Sequence, residues 1–196
     1  MYYTFDHDLF LWLNFDGGAF MDKFMVAVST PVVWSWLYVL LIFLIWRRKG
    51  WRAALLFVVL VAAAVGLTDL LAGIFKHSGP LKHLWASFPA RLRPMHTPEL
   101  EGLVHVVKGA GRYGTVSAHA GTMTAIAFMS WAVHRWMLLP MFLVAALISY
   151  SRIYLACHFP VDIALGMALG LTVGALMLLL YRFIHRRYLT PQLKKM

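Results

Sequence analysis

The stretch "IALGMALGLTVGALMLLLYRFI", residues 163–184, carries a single charged side chain, and that one lies close to its end. About 20 predominantly apolar residues are enough for a helix to cross a bilayer. Three more runs share this character: "PVVWSWLYVLLIFLIW" (31–46), "AALLFVVLVAAAVGLTDLLAGIF" (53–75) and "MLLPMFLVAALISY" (137–150). Composition agrees, since 13% of residues are charged and 61% hydrophobic, against about 25% charged in soluble domains. The expected fold class is all-α, a polytopic transmembrane helical bundle. About five spans plus an N-terminal interfacial helix form a six-helix core, in one integral-membrane domain over 1–196.

The spans are placed at about 22–46, 51–76, 118–135, 136–156 and 160–184. The third is short and rich in small residues, which suits close helix packing inside a bundle. Before them, Phe5, Leu9, Phe10, Trp12 and Leu13 pattern a short helix at about 4–15 that lies in the interface. Acidic residues stand where a basic n-region belongs, so this end does not read as a cleaved signal.

The net charge of +10 matters less than its distribution. Arg47, Arg48, Lys49 and Arg52 lie between the first two long runs, and Arg182, Arg186, Arg187, Lys194 and Lys195 form a basic tail. Such clusters fix topology or meet anionic lipid heads rather than nucleic acid, and both are expected to face the cytoplasm. Trp46, Trp51, Trp131, Trp136 and Tyr181 fall at the same level, as an aromatic belt. With this orientation the end of span two, the start of span three and the junction of spans four and five all meet on the outer face. The segment 77–116 also lies outside. It shows no obvious element, and structureless segments of that length are functional or disordered.

That outer face gathers the ionisable residues. In "SRIYLACHFPVD" (151–162), His158 and Asp162 are four apart, so a helix would bring them together. A carboxylate bonded to one ring nitrogen fixes the tautomer and makes the other nitrogen a nucleophile. In "YGTVSAHAGT" (113–122), Ser117 reads as an N-cap, leaving the amides of Ala118 and His119 as an anion site. His119 is placed to protonate a leaving oxygen. In "FKHSGPLKHLWASFPARLRP" (75–94), Arg93 joins Arg152 as a planar fork for phosphate oxygens, with Lys76 or Lys82 adding a point charge. Read singly, each stretch has an ordinary explanation: an interfacial histidine, a capped helix, a basic rim. Together they describe a site for phosphoryl transfer. Asp69, about 10 Å inside the second span, is either functional or a packing residue. Cys157 is the only cysteine, which excludes an internal disulfide or a thiolate metal cage.

These three stretches resemble the three motifs of the type-2 phosphatidic acid phosphatase family of membrane phosphatases. The third motif, S-R-x-x-x-x-x-H-x-x-x-D, is matched without gaps by Ser151, Arg152, His158 and Asp162. The second, P-S-G-H, reads Val116-Ser117-Ala118-His119. The first, K-x-x-x-x-x-x-R-P, keeps Arg93-Pro94 but has Ala86 where the lysine belongs. Lys76 is preferred to Lys82 for that role because it directly ends the second span. The resemblance implies that His158 attacks phosphorus to form a phosphohistidine, oriented by Asp162. His119 would protonate the leaving group and then activate water. Lys76, Arg93, Ser117, Ala118 and Arg152 would hold the phosphate. No metal and no cofactor are implied.

The expected function is thus a metal-independent lipid phosphatase at the outer face of a bacterial inner membrane, with the C-terminus cytoplasmic. The expected substrate is undecaprenyl pyrophosphate, and phosphatidylglycerophosphate, phosphatidate and lipid A phosphates are the alternatives. A partner beyond the bilayer and its phospholipid or polyprenyl-phosphate substrate is not implied. The competing class is a non-catalytic transporter or haem-binding bundle. Haem ligation wants facing histidines inside the bundle rather than histidines at helix starts beside arginines.

Overall fold

The computed structural model describes residues 2–189, with side chains from Phe5 onward. Seven helices follow in order: α1 (Tyr2–Leu13), α2 (Gly18–Val28), α3 (Ser35–Lys49), α4 (Trp51–Phe75), α5 (Ala118–Met129), α6 (Leu138–Tyr154) and α7 (Pro160–Ile184). Four helical stretches are long and apolar enough to cross a membrane: Pro31–Lys49, Trp51–Phe75, Arg135–Tyr154 and Pro160–Leu189. Large apolar side chains such as Leu55, Val59, Leu143, Leu165, Leu176 and Phe183 point away from the protein on these helices. Hydrocarbon is the environment that tolerates that pattern.

Two expected spans differ in detail. The run 22–46 is not one helix. Pro31 has no amide proton and pushes the preceding residue out of the helical region. Thr30 accordingly adopts φ −92°, ψ 118°, and a 3-10 turn at Pro31–Trp34 separates α2 from α3. The span at 118–135 shrinks to the twelve residues of α5, which ends in a 3-10 turn at Ser130–Ala132. Nine of those twelve residues are buried, because α5 lies inside a cage of α4, α6 and α7. Its small side chains are what make that position available.

Glycine sets how closely α5 and α7 approach. Gly166 and Gly170 lie one turn apart on α7. A Cβ on Gly170 would stand 2.1 Å from the Gly121 carbonyl oxygen, and one on Gly166 would stand 2.4 Å from that of Ser117. This contact fixes the start of α5 beside the start of α7.

The basic end is closed by Gly50 (φ 85°), whose amide caps α3 after Arg47, Arg48 and Lys49. Cations in a last turn also suit the helix dipole. Trp46, Trp51, Trp131 and Trp136 are exposed there, as an aromatic belt requires. Tyr181 is not part of it: the ring is buried and packs edge-on against Phe57 at 6.2 Å. Lys194 and Lys195 lie outside the described residues.

The amino-terminal helix is docked. Phe10 is fully buried and meets Phe159 edge-on at 5.3 Å, a burial that contributes about 2 kcal/mol. Asn14 then straps the long loop down, donating to the carbonyls of His105, Ile153 and Tyr154 and accepting from the His105 amide. That loop is ordered, with 3-10 turns at Pro94–His96 and Pro98–Leu100 and an antiparallel bridge between Leu92 and Tyr113.

Candidate active site

The turn after α6 presents His158. Ala156 takes the left-handed conformation (φ 53°). The Ala156 amide donates to the Ile153 carbonyl and the Cys157 amide to that of Arg152, both at 2.9 Å. This paired closure uses the free carbonyls of a helix end. It seats the His158 ring between Gly114 and Arg93. Nδ1 lies 2.8 Å from the Gly114 carbonyl oxygen. A carbonyl only accepts, so Nδ1 carries the proton and Nε2 keeps its lone pair. Nε2 in turn faces Arg93 Nη1 at 3.3 Å. Burial, with the charges of Arg93, Arg152 and Lys76 nearby, holds the His158 pKa well below its ordinary value. The ring is therefore neutral at pH 7.

Asp162 lies beside the ring and has further partners. It is 3.7 Å from His158 Nδ1, and its oxygens are engaged elsewhere. Oδ1 accepts from Arg91 Nη2 at 3.0 Å and Oδ2 from the Phe159 amide at 3.0 Å. The reason is local. His158 precedes the helix, Phe159 is extended (φ −75°, ψ 159°) and Pro160 opens α7. Residues 158 and 162 thus come within 3.7 Å of each other without sharing a helical turn. The Gly114 carbonyl sets the tautomer, and Asp162 ties α7 to the loop.

Arg91 and Asp6 were not found by the sequence reading. Arg91 Nη1 donates to Asp6 Oδ2 at 2.6 Å, and Asp6 Oδ1 accepts from the Val161 amide at 3.1 Å. The Arg91 guanidinium also lies 4.1 Å from the centre of the Phe159 ring. Its backbone is held too, by Gly114 N–H to Arg91 O and Arg91 N–H to Thr115 Oγ1, each 2.9 Å. No sequence pattern links Asp6 with Arg91. The one available signal was a second arginine two positions before Arg93.

Ser117 is buried and caps α5 as expected, but its side chain is committed: Oγ accepts from the Ala120 amide at 3.4 Å. Its own amide donates to the Asp162 carbonyl at 3.0 Å. Of the second motif, the amides of Ala118 and His119 have no acceptor among the described residues, since first-turn amides find none within their helix. His119 is half-buried and lines a cavity of about 600 Å³ shared by α3, α4 and α5.

The cations converge as well. Arg93 Nη1 donates to the Cys157 carbonyl at 2.8 Å, and Arg152 Nη1 donates to Ser29 Oγ at the end of α2. The Nε atoms of both arginines are buried without a partner. Lys76 directly follows α4, and its charge acts on His119 and His158. Burial lowers the Lys76 pKa, against the opposing pull of Asp69. Lys82 is exposed in the loop. Three cations thus face one spot with two unsatisfied N–H donors and two open amides. An oxyanion is the ligand that such a spot binds.

A family model described as the PAP2 superfamily matches residues 65–186, which contain all three stretches. The chain belongs to the PAP2 superfamily. It is a multi-pass membrane phosphatase of lipids, a phosphoric-ester hydrolase, and the transporter and haem-bundle readings fall away. A lipid A 4'-phosphatase of Porphyromonas gingivalis is 30% identical over 191 residues, covering 94% of this chain and 76% of the relative. One from Bacteroides thetaiotaomicron is 31% identical over 171 residues, covering 84% and 72%. Among solved structures, Aquifex aeolicus LpxE superposes with a TM-score of 0.63 at 24% identity, covering 87% of this chain and 93% of that one. The PAP2-type phosphatidylglycerolphosphate phosphatase of Bacillus subtilis gives 0.60 at 22%, covering 94% and 88%. These two establish the fold. The names of the PAP2 relatives fit lipid A, an alternative in the sequence reading, better than undecaprenyl pyrophosphate, which was its first choice.

Proposed function

We propose that this chain removes the 4'-phosphate of lipid A or a closely related glucosamine lipid, through a phosphohistidine on His158. The observation that carries the chemistry is the lone pair of His158 Nε2, aimed at the guanidinium of Arg93 beside two unpartnered arginine N–H groups. The two lipid A 4'-phosphatase relatives, matched over most of this chain, support the substrate.

An arriving phosphate draws Arg93 from the ring onto its oxygens, which frees Nε2. Before it arrives, burial and the charges of Arg152, Lys76 and Arg93 lower the His119 pKa to about 3; a phosphate entering as the monoanion offsets those charges and hands His119 its proton. Nε2 attacks phosphorus, the phosphorus–oxygen bond to the sugar breaks, and His119 passes that proton to the departing oxygen. Proton-bearing Nδ1 stays bonded to Gly114, which stabilises the positive ring. His119 then takes a proton from water, the water oxygen attacks phosphorus, and the phosphorus–nitrogen bond breaks to release phosphate. Lys76, Arg93, Arg152 and the amides of Ala118 and His119 hold the equatorial oxygens throughout. Acyl chains occupy the groove below His119, among residues such as Leu41, Phe57, Val61 and Met123. The head group thus enters the site while the tails remain at bilayer depth. The site faces outward, because the basic end at Arg47–Lys49 and Arg182–Arg187 lies on the inside.

The test is phosphate release by detergent-purified protein in EDTA, from a 4'-phosphorylated glucosamine lipid, undecaprenyl pyrophosphate and phosphatidylglycerophosphate. Preference for the first substrate, lost in His158→Ala, is the expected result. Release that persists in His158→Ala refutes the mechanism, and preference for another lipid refutes the substrate.

A further inference from the structure

Asp69, at bilayer depth, is a carboxylate without a partner among the described residues. It lies two turns before Lys76 on α4, about 10 Å farther in at 1.5 Å per residue. Its neighbour Thr68 is fully buried, with its methyl group against Gly121 of α5. One residue on, about 100° around the helix, Asp69 is exposed and lines the cavity that also holds Ser29, Ala118 and His119. Among the described residues no hydrogen bond or ion pair engages it. Lys76 feels its charge but does not contact it. An ionisable side chain inside a membrane is costly and marks a functional path. The rest of the groove wall is mostly apolar, so the partner of this carboxylate arrives with the substrate.

We infer that Asp69 is a specificity-determining residue that accepts hydrogen bonds from hydroxyl or amide groups of the lipid head group beside the phosphate. This rests on the function proposed above and narrows it. A carboxylate offers acceptors only. An acylated amino sugar brings O–H and N–H donors within one ring of its phosphate ester, at the depth where Asp69 waits. A polyprenyl diphosphate brings a second acidic group and then bare hydrocarbon. At Asp69 it meets repulsion or an unpaired charge, so the same residue attracts one substrate and rejects the other.

The experiment compares wild type with Asp69→Leu and Asp69→Asn on a 4'-phosphorylated glucosamine lipid and on undecaprenyl pyrophosphate. Melting in detergent is recorded for all three proteins, and Asp69→Asn serves if the leucine variant is poorly folded. Loss of a charge-assisted hydrogen bond is about a ten- to hundredfold effect. In Asp69→Leu, kcat/KM on the sugar lipid falls by that factor, mainly through KM, while turnover of the diphosphate is unchanged or rises. A parallel fall on both substrates overturns the inference, since it means that Asp69 acts through Lys76. An unchanged sugar-lipid rate overturns it too. If wild type ignores the sugar lipid and cleaves the diphosphate, the proposed function itself fails and the inference with it.

Discussion

Removing the Arg91 guanidinium while keeping its volume, as in Arg91→Met, strands two carboxylates. Asp6 and Asp162 are 1% exposed each, and Arg91 bridges them at 2.6 Å and 3.0 Å. Breaking a buried pair by deleting one partner costs about 3–5 kcal/mol. Each aspartate retains one backbone amide, from Val161 and Phe159 respectively, so the lower end applies, about 3 kcal/mol. For a chain of this size that is about 6–12 °C in melting temperature. Activity drops further, because Asp162, Phe159 and Gly114 all lean on Arg91 and together seat His158. A displacement of about 1 Å costs on the order of a hundredfold in rate. The assay is a double-mutant cycle of Arg91→Met with Asp6→Asn, read by melting in detergent and by phosphate release. The double variant should recover part of the melting loss, because one stranded charge is gone, with a coupling of about 1–3 kcal/mol. Additive losses, or an Arg91→Met protein that melts and turns over like wild type, would refute the bridge as the support of the site.

The remaining predictions concern packing and pH. Gly170→Ala places a methyl group against the Gly121 carbonyl at 2.1 Å, and overpacking of this kind costs about 1–3 kcal/mol. Because Ser117 and His119 ride on the same contact, kcat should fall with the melting temperature, whereas Gly109→Ala, with nothing nearby, should change neither. The lowered His158 pKa means that below about pH 6.5 the unfolded chain binds a proton that the folded protein does not. Stability is therefore full above that pH and declines beneath it, by on the order of 1 kcal/mol per pH unit from this group. His119, lowered to about 3, adds to that slope and Asp162, raised to about 6, opposes it, so a pH series of melting curves should show a shallower acid-side decline in His158→Asn than in wild type.

The bundle was legible because it rests on local signals: apolar length, basic ends, and small residues where helices touch. Its errors were local as well. Pro31 was hidden inside an apolar run, and hydropathy does not report a break in the backbone. In the site, residues of one motif were readable because their spacing places them. Arg93 touches His158, the charges of Lys76, Arg93 and Arg152 act on both histidines, and Lys82 is exposed in the loop. What failed was every interaction set by the path of the chain between motifs. The partner of His158 is a carbonyl, Gly114, and a carbonyl leaves no trace in residue type. Asp6 and Arg91 are 85 residues apart, and their pairing depends on where α1 docks. Spacing by four does bring His158 and Asp162 within 3.7 Å, but the helix starts only at Pro160, and the Nδ1 proton goes to Gly114.

That division bears on how the site keeps its charge. Arg91 is neutralised twice over by Asp6 and Asp162, so it supports structure and leaves nothing for a ligand. Among the described residues no ion pair engages Lys76, Arg93 or Arg152. The partners of the two arginines are a carbonyl, a serine hydroxyl and a histidine nitrogen. Crowding three cations around a buried imidazole in low dielectric opposes folding. Neutral acceptors offset part of that and leave the positive field intact. Had Asp162 paired with Arg93 instead, the fold would be more stable and the phosphate would have to displace a carboxylate. The loop arginine two positions upstream spares it that competition, while Asp162 stays 3.7 Å from the nucleophile's Nδ1.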